Sequence, residues 1–361
     1  MGNNIYSVIT GTGSYIPAQK IDNEYFLEHD FFDARRERIN KENIDIITKF
    51  KAITTIEERR YVKDELVTSD IAYLSAADAL EKSSINKETL DYIIVAHNFG
   101  DVKSDNRRSD FVPSLASRVK QRLGIENPYC VAYDVAFGCP GWLQCLIQAD
   151  YYIKSGDAKR IMVIGAETLS RVVDPHDRDS MLYADGAGTV IVEAKESDTP
   201  IGVLAHATRT DAKDYALMLQ MAESYNDGDE NKGNLYLKMQ GRKLYQYALS
   251  HVPGAIKACL EKSNTCLSQI NKVLIHQANG KMDDAILERL YNLYDGVEIP
   301  SDVMPMTVDW LGNSSVATVP TLLDLIVSGK MEEHTIEKND LIVFASVGAG
   351  MNINAMVYKA V

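Results

Sequence analysis

Asp134-Val-Ala-Phe-Gly-Cys139-Pro-Gly-Trp142 is the stretch whose reading decides the fold. It closes the apolar run at 131–135 and opens a segment with apolar residues at 142, 146, 149 and 153. The pattern predicts a strand, a turn at Gly138 and a helix that Ser155-Gly156 ends. Pro140 suits the first helical position, where a missing N–H loses no partner. Cys139 then stands at a helix N-terminus, where unpaired N–H groups and the helix dipole favour an anion. That setting predicts a lowered thiol pKa and an available thiolate. The plainer alternative is a buried, inert cysteine, the usual state of a free thiol. That plainer reading applies to Cys130, Cys145, Cys259 and Cys266. The five form no CxxC pair and suggest neither a disulfide framework nor a zinc site.

Outward from this motif, strand-like and helix-like runs alternate, the pattern of an α/β fold. Strands are expected at 6–10, 92–96, 131–135, 161–164 and 189–192, then at 201–205, 273–275, 341–345 and 353–357. Several are apolar without alternation, as in a sheet covered on both faces. Helical periodicity marks 69–80, 115–123, 142–154, 244–260, 285–290 and 319–327, with Pro253 expected to kink or split the fourth. Asp91–Gly100 resembles Asn271–Gly280, and Lys159–Gly165 resembles Asp340–Ser346, which suggests an internal duplication. The halves divide as 1–197 and 198–361, across a polar, loop-like junction near 195–200. Residues 26–51 read as an inserted cap with helical character, and 211–234 as a surface excursion.

Two more polar residues occupy positions like that of Cys139. His276 follows the run Val273-Leu-Ile275, and Asn313 lies in a turn before the helix at 319–327. A structural histidine and a helix cap are the plain alternatives. Together with Cys139 they form three polar groups at strand or turn ends, where open α/β sheets gather their sites. A Cys–His–Asn order also describes papain-like peptidases, and His276 falls within their roughly 130–150-residue spacing. The local signature of that family is absent, since Cys139 is followed by Pro-Gly-Trp.

Composition narrows the classes further. The 361 residues suit about two domains or fused halves. Charged residues make up 25% and the net charge is −13, which argues against a general nucleic-acid surface. The N-terminus lacks a secretory pattern, and no apolar run is long enough for a membrane span, so a cytoplasmic location is expected.

Taken in order, the motifs resemble the ketoacyl-ACP synthase III branch of the thiolase superfamily over nearly the whole chain. The nucleophile motif at 134–142 comes first, followed by the glycine turn Ala184-Asp-Gly-Ala-Gly188. His276-Gln-Ala-Asn279, Gly312-Asn-Ser-Ser315 and Ser346-Val-Gly-Ala-Gly350 complete the set. The resemblance implies a duplicated five-layer α/β/α/β/α thiolase-like fold, a homodimer, and no resident cofactor. It also implies a ping-pong reaction in which Cys139 takes an acyl group from acyl-CoA or an acyl carrier protein. An oxyanion hole would come from its own N–H and the loop Gly348, Ala349 and Gly350. A malonyl thioester would then lose CO2, with His276 Nε2–H and the Asn313 amide steadying the enolate.

The resemblance extends unevenly to the substrate-binding residues. Arg178 matches an adenine-side arginine, but Lys49 and Ile53 stand near where a Trp and an Arg of a coenzyme A clamp are expected. Val112 takes the place of a Phe that often closes the acyl tunnel from the partner subunit, which implies a starter longer than acetyl. Lys281, Arg289, Arg242 and Lys243 match or lie near a basic carrier-protein docking patch, while Glu288 replaces an expected lysine. A solvated helix face is the alternative for these charges. Acyl transfer without decarboxylation, a type III polyketide synthase and a non-catalytic acyl-binding subunit complete the competing readings. A hydroxymethylglutaryl-CoA synthase would need an acidic catalytic residue that the sequence does not locate.

Overall fold

Strands of this chain are apolar on both faces because each face belongs to a different core. In the computed structural model, which describes residues 4–228 and 232–361, Ile93 and Val95 face one hydrophobic cluster. Ile94 and Ala96 face another. The strand side-chain period of two makes this alternation unavoidable.

Nine strands form two sheets. In spatial order the first runs Asn4–Tyr15, Asp185–Ser197, Arg160–Thr168, Tyr92–Ala96 and Val131–Val135. The second runs Gly202–Thr210, Asn352–Lys359, Leu341–Gly348 and Ile270–Ile275. Both repeat one pattern: the first strand pairs antiparallel with the last, the last antiparallel with its predecessor, and that one parallel with an earlier strand. Tyr92–Ala96 and Ile270–Ile275 hold equivalent places, as do Arg160–Thr168 and Leu341–Gly348. These are the two sequence pairs whose similarity suggested a duplication.

Helices complete the layers. Thr68–Ser83 and Leu115–Arg122 cover the outer face of the first sheet. Gly241–Lys262 and Gly280–Tyr291 cover the outer face of the second. Between the sheets lie Gly141–Ser155 and Thr318–Val327, in a core that joins Trp142, Leu146 and Leu322 to Val163 and Phe344. Five layers in the order α/β/α/β/α result, the thiolase-like arrangement. Among the described residues, no helix is long and apolar enough to cross a membrane.

Several local expectations change. Gly241–Lys262 is one continuous helix with Pro253 inside it, so the proline does not split it. Pro253 cannot donate to the Leu249 carbonyl, and Arg289 Nη1 donates there instead (3.3 Å). The segment 26–51 is helical only from Asn43 onward; its earlier part is turns around Phe26 and Phe31, which pack with Ile46, Ile47 and Met181. Arg59, fully buried, fastens this cap by donating to the Ile21 and Met181 carbonyls and to Asn23 Oδ1. The strand ending at Ser197 runs through the first half of the junction expected near 195–200. The excursion at 211–234 is partly internal, since Leu219–Ala222 pairs with Tyr236–Met239 as a hairpin. Its residues 229–231, like residues 1–3 of the N-terminus, lie outside the described part of the chain.

Candidate active site

Cys139 sits on the turn between the strand Val131–Val135 and the helix Gly141–Ser155. Gly138 reaches φ +67°, which a side chain rarely tolerates. A second glycine loop presses on this turn from Leu341–Gly348. A Cβ added to Gly348 would lie 2.5 Å from the Cys139 nitrogen, and one on Gly138 would lie 2.7 Å from the Ala349 nitrogen. Gly350 turns at φ +98°, and Asn352 Nδ2 ties the loop down by donating to the Ala349 carbonyl (2.8 Å). Pro140 is the N-cap and Gly141 the first helical residue, so the helix begins one residue later than expected.

His276 and Asn313 meet Cys139 from the other half of the chain. His276 follows the strand Ile270–Ile275, and its N–H donates to the Ala345 carbonyl (2.9 Å). Asn313 is pinned by its backbone, donating to the Leu182 carbonyl (2.9 Å) and accepting from Ala184 N (2.8 Å). Its Oδ1 accepts from Ser315 N (2.9 Å), which leaves the amide hydrogens for the pocket. Cys139, His276, Asn313, Gly348 and Ala349 line one cavity of about 190 Å³. The hairpin contributes Leu219, Met221, Leu237 and Met239 to its wall, and the outer helices add Leu244 and Met282. The lining is mostly apolar, with Asn98, Gln220, His276, Asn313 and Ser315 among its polar groups. Such a cavity fits an acyl chain whose thioester meets the sulfur.

Burial dominates the electrostatics. It pushes the Cys139 thiol up to about 11, opposed by the Ser315 hydroxyl, which donates to Sγ (3.4 Å). The lowered thiol pKa expected from the helix N-terminus is therefore not found. Desolvation outweighs the favourable field there. The same burial pushes His276 down to about 4, so its imidazole is neutral at ordinary pH. Among the described residues His276 Nδ1 has no hydrogen-bond partner. A neutral imidazole and a primary amide are donors without charge, suited to an oxygen that becomes negative only during reaction.

Other expected residues lie elsewhere. Val112 is 84% exposed and does not line the cavity of this chain. Arg178 is exposed on a short 3-10 turn, and Lys49 and Ile53 are exposed on the cap helix Asn43–Thr54. Arg242 and Lys243 open the helix Gly241–Lys262, while Lys281 and Arg289 stand in the first and last turns of Gly280–Tyr291, which packs beside it. All four are exposed. Sequence reasoning missed Ser315, Asn98 and Glu167 as site residues. Ser315 was within reach, since it ends the quoted Gly312-Asn-Ser-Ser motif; the other two carry no local pattern.

Comparison with known proteins agrees with this geometry. The family model described as 3-oxoacyl-[acyl-carrier-protein (ACP)] synthase III matches residues 133–212, and its C-terminal counterpart matches residues 260–360. The beta-ketoacyl-[acyl-carrier-protein] synthase III of Xanthomonas campestris is 32% identical over 353 residues, covering 97% of each chain. Beta-ketoacyl-[acyl-carrier-protein] synthase III 1 of Vibrio cholerae is 32% identical, over 98% of this chain and 100% of its own. Among solved structures, the 3-oxoacyl-[acyl-carrier-protein] synthase III of Aquifex aeolicus superposes with a TM-score of 0.78 at 28% identity, over 98% of this chain and 99% of its own. With two sheets of one repeated pattern and a cysteine, a histidine and an asparagine converging between them, the chain belongs to the 3-oxoacyl-[acyl-carrier-protein] synthase III family.

Proposed function

We propose that this protein is an acyltransferase catalysing a decarboxylating condensation in fatty-acid or polyketide-like biosynthesis, with Cys139 as its nucleophile. The thiolate attacks an acyl thioester, delivered by coenzyme A or an acyl carrier protein, and the carrier thiol leaves with a proton. The tetrahedral oxyanion is held by the Cys139 N–H and a backbone N–H of the loop Gly348, Ala349 and Gly350. Such donors are each worth about 3–4 kcal/mol. Malonyl thioester then binds and loses CO2. His276 and Asn313 donate to the enolate oxygen, and the carbanion attacks the acyl carbon. Collapse expels the cysteine thiolate and yields a 3-oxoacyl thioester. No resident cofactor takes part, because loss of CO2 supplies the carbon nucleophile.

The observation that carries this reading is the convergence of Cys139, neutral His276 and the free Asn313 amide in one mostly apolar cavity. Simple acyl transfer to oxygen or nitrogen has no use for that donor pair, so condensation is preferred. The division of labour follows the two halves, with the nucleophile in 1–197 and the enolate donors in 198–361. Arg178 would meet the coenzyme side of the thioester. Lys281, Arg289, Arg242 and Lys243 would receive the acidic carrier protein. A homodimer is supported by the open edge strand Val131–Val135, beside which Tyr129 is 86% exposed. In such a dimer Val112 would approach the partner's acyl tunnel and leave room for starters longer than acetyl. A cytoplasmic setting suits these substrates.

Intact-protein mass spectrometry with a panel of acyl-CoA and acyl-carrier thioesters tests the reading. Wild type gains one acyl mass and Cys139→Ala gains none. A wild type that no donor acylates overturns it.

A further inference from the structure

Glu167 is a fully buried carboxylate at the end of the strand Arg160–Thr168, with no lysine or arginine paired to it among the described residues. Its hydrogen bonds come from one residue. Asn98 donates to Oε2 through its backbone N–H (3.1 Å) and through Nδ2 (2.8 Å). Burying an ionisable group costs free energy unless something is gained in return. The other contacts of Asn98 show what that gain is. Its Oδ1 accepts from the Gly138 N–H (2.9 Å), one residue before the nucleophile. Its second Nδ2 hydrogen reaches Ser315 Oγ (3.4 Å).

The direction of each bond then follows from donor and acceptor capacity. Burial raises the Glu167 pKa to about 7, so at pH 8 it is chiefly a carboxylate that only accepts; the Gly138 N–H only donates, so the Asn98 amide has a single orientation that satisfies both. In that orientation NH2 faces Ser315, whose oxygen accepts and whose hydrogen is thereby free for Cys139 Sγ at 3.4 Å. Reversing the amide would claim that hydrogen for Oδ1 and leave the sulfur without its donor.

We infer that Asn98, locked by Glu167, is a positioning residue for the acyl-transfer step, fixing the Cys139 turn through Gly138 and aiming the Ser315 hydroxyl at the sulfur. This rests on Cys139 being the nucleophile, as proposed above. The contribution of Glu167 is orientation and not charge, since its negative charge opposes formation of a nearby thiolate. His97, hydrogen-bonded to Asp134, and Asp185, held by Ser170 and the Val62 N–H, are the other charged or titratable groups near the carboxylate.

The two effects of Glu167 act in opposite directions and can be separated. In Glu167→Gln the lost charge favours the thiolate while the misaimed Ser315 hydroxyl disfavours it, so alkylation of Cys139 by iodoacetamide, which needs only thiolate, stays within about threefold of wild type at pH 8. Acyl-enzyme formation, which needs the aligned sulfur, slows at least tenfold at saturating thioester with KM unchanged. Asn98→Ala, checked for folding by thermal melt, slows acylation by on the order of 100-fold, the usual effect of misplacing a reacting group by about 1 Å. Acylation within twofold of wild type in either variant overturns the inference. Equal slowing of alkylation and acylation in Glu167→Gln also overturns it, because that marks a general loss of structure. Cys139→Ala serves as the separate control: if it still acylates, the nucleophile assignment fails and not the positioning role.

Discussion

Gly348 and Cys139 are in backbone contact: a methyl group on Gly348 would stand 2.5 Å from the cysteine nitrogen and 2.7 Å from Pro140 Cδ. Real Cβ atoms do not approach backbone so closely, so Gly348→Ala must push apart the Cys139 turn and the glycine loop. Both donors of the proposed oxyanion hole lie on these two segments. The expected outcome is a fall in acylation rate of on the order of 100-fold or more, read by quenched-flow mass spectrometry. Gly156→Ala is the comparison, since nothing lies within 4 Å of a Cβ there. Its φ of +84° costs some stability without touching the site.

The thiol itself sets a pH dependence. Burial pushes Cys139 up to about 11, while the Ser315 hydroxyl pulls the other way by donating to the sulfur. The alkylation rate with iodoacetamide therefore keeps rising from pH 7 to pH 10 with no plateau. Ser315→Ala removes a donor that favours the thiolate, so its profile shifts to higher pH. A plateau near pH 7 would mean that the helix N-terminus outweighs desolvation.

The parts of the site that sequence reveals are those fixed by neighbours in the chain. Cys139 was legible because a strand, a turn glycine, a proline and a helix surround it within a few residues. His276 and Asn313 were legible as positions, each at the end of a periodic run. The hairpin lining the pocket was not. Leu219–Ala222 and Tyr236–Met239 have four residues each, too few for periodicity to register, and an Asp- and Asn-rich stretch separates them. Glu167 and Asn98 come together only through the parallel pairing of Tyr92–Ala96 with Arg160–Thr168, so no local pattern announces them. Pro253 fails to split its helix for a related reason. The carbonyl it leaves free is satisfied by Arg289, from another helix.

That hairpin is held by a buried lysine. Lys238 Nζ donates to Asp177 (3.1 Å) and to Asp174, and stands 3.3 Å from the centre of the Tyr225 ring. Burial pushes Asp177 up, whereas the lysine and two backbone N–H groups hold Asp174 low in spite of its own burial. Lys238→Met leaves two enclosed carboxylates without their cation, a loss worth about 3–5 kcal/mol. Because Leu237 and Met239 flank Lys238 and line the cavity, the same variant should weaken binding of acyl donors as well as lower Tm. A variant that melts like wild type would show that the lysine does not anchor the hairpin.

Asp283 presents the opposite case, a buried carboxylate with no cation beside it among the described residues. It lies in the first turns of the helix Gly280–Tyr291, fully enclosed, and among the described residues neither side-chain oxygen has a well-aligned hydrogen-bond partner. Burial raises its pKa well above the usual range, with neighbouring Asp284 adding to the effect and the Asn279 backbone N–H opposing it. The folded state therefore holds this proton more tightly than the unfolded state does. Stability from the neutral form is complete below the unfolded value of about 4 and is lost as pH rises toward the raised folded value. Asp283→Asn keeps the shape and removes the titration, so its advantage over wild type must grow with pH. Thermal melts should place the two within about 1 kcal/mol at pH 5, with the variant ahead by about 1–3 kcal/mol at pH 8. A difference that stays constant across that range would mean the carboxyl does not change ionisation on unfolding, and that a partner satisfies it in solution.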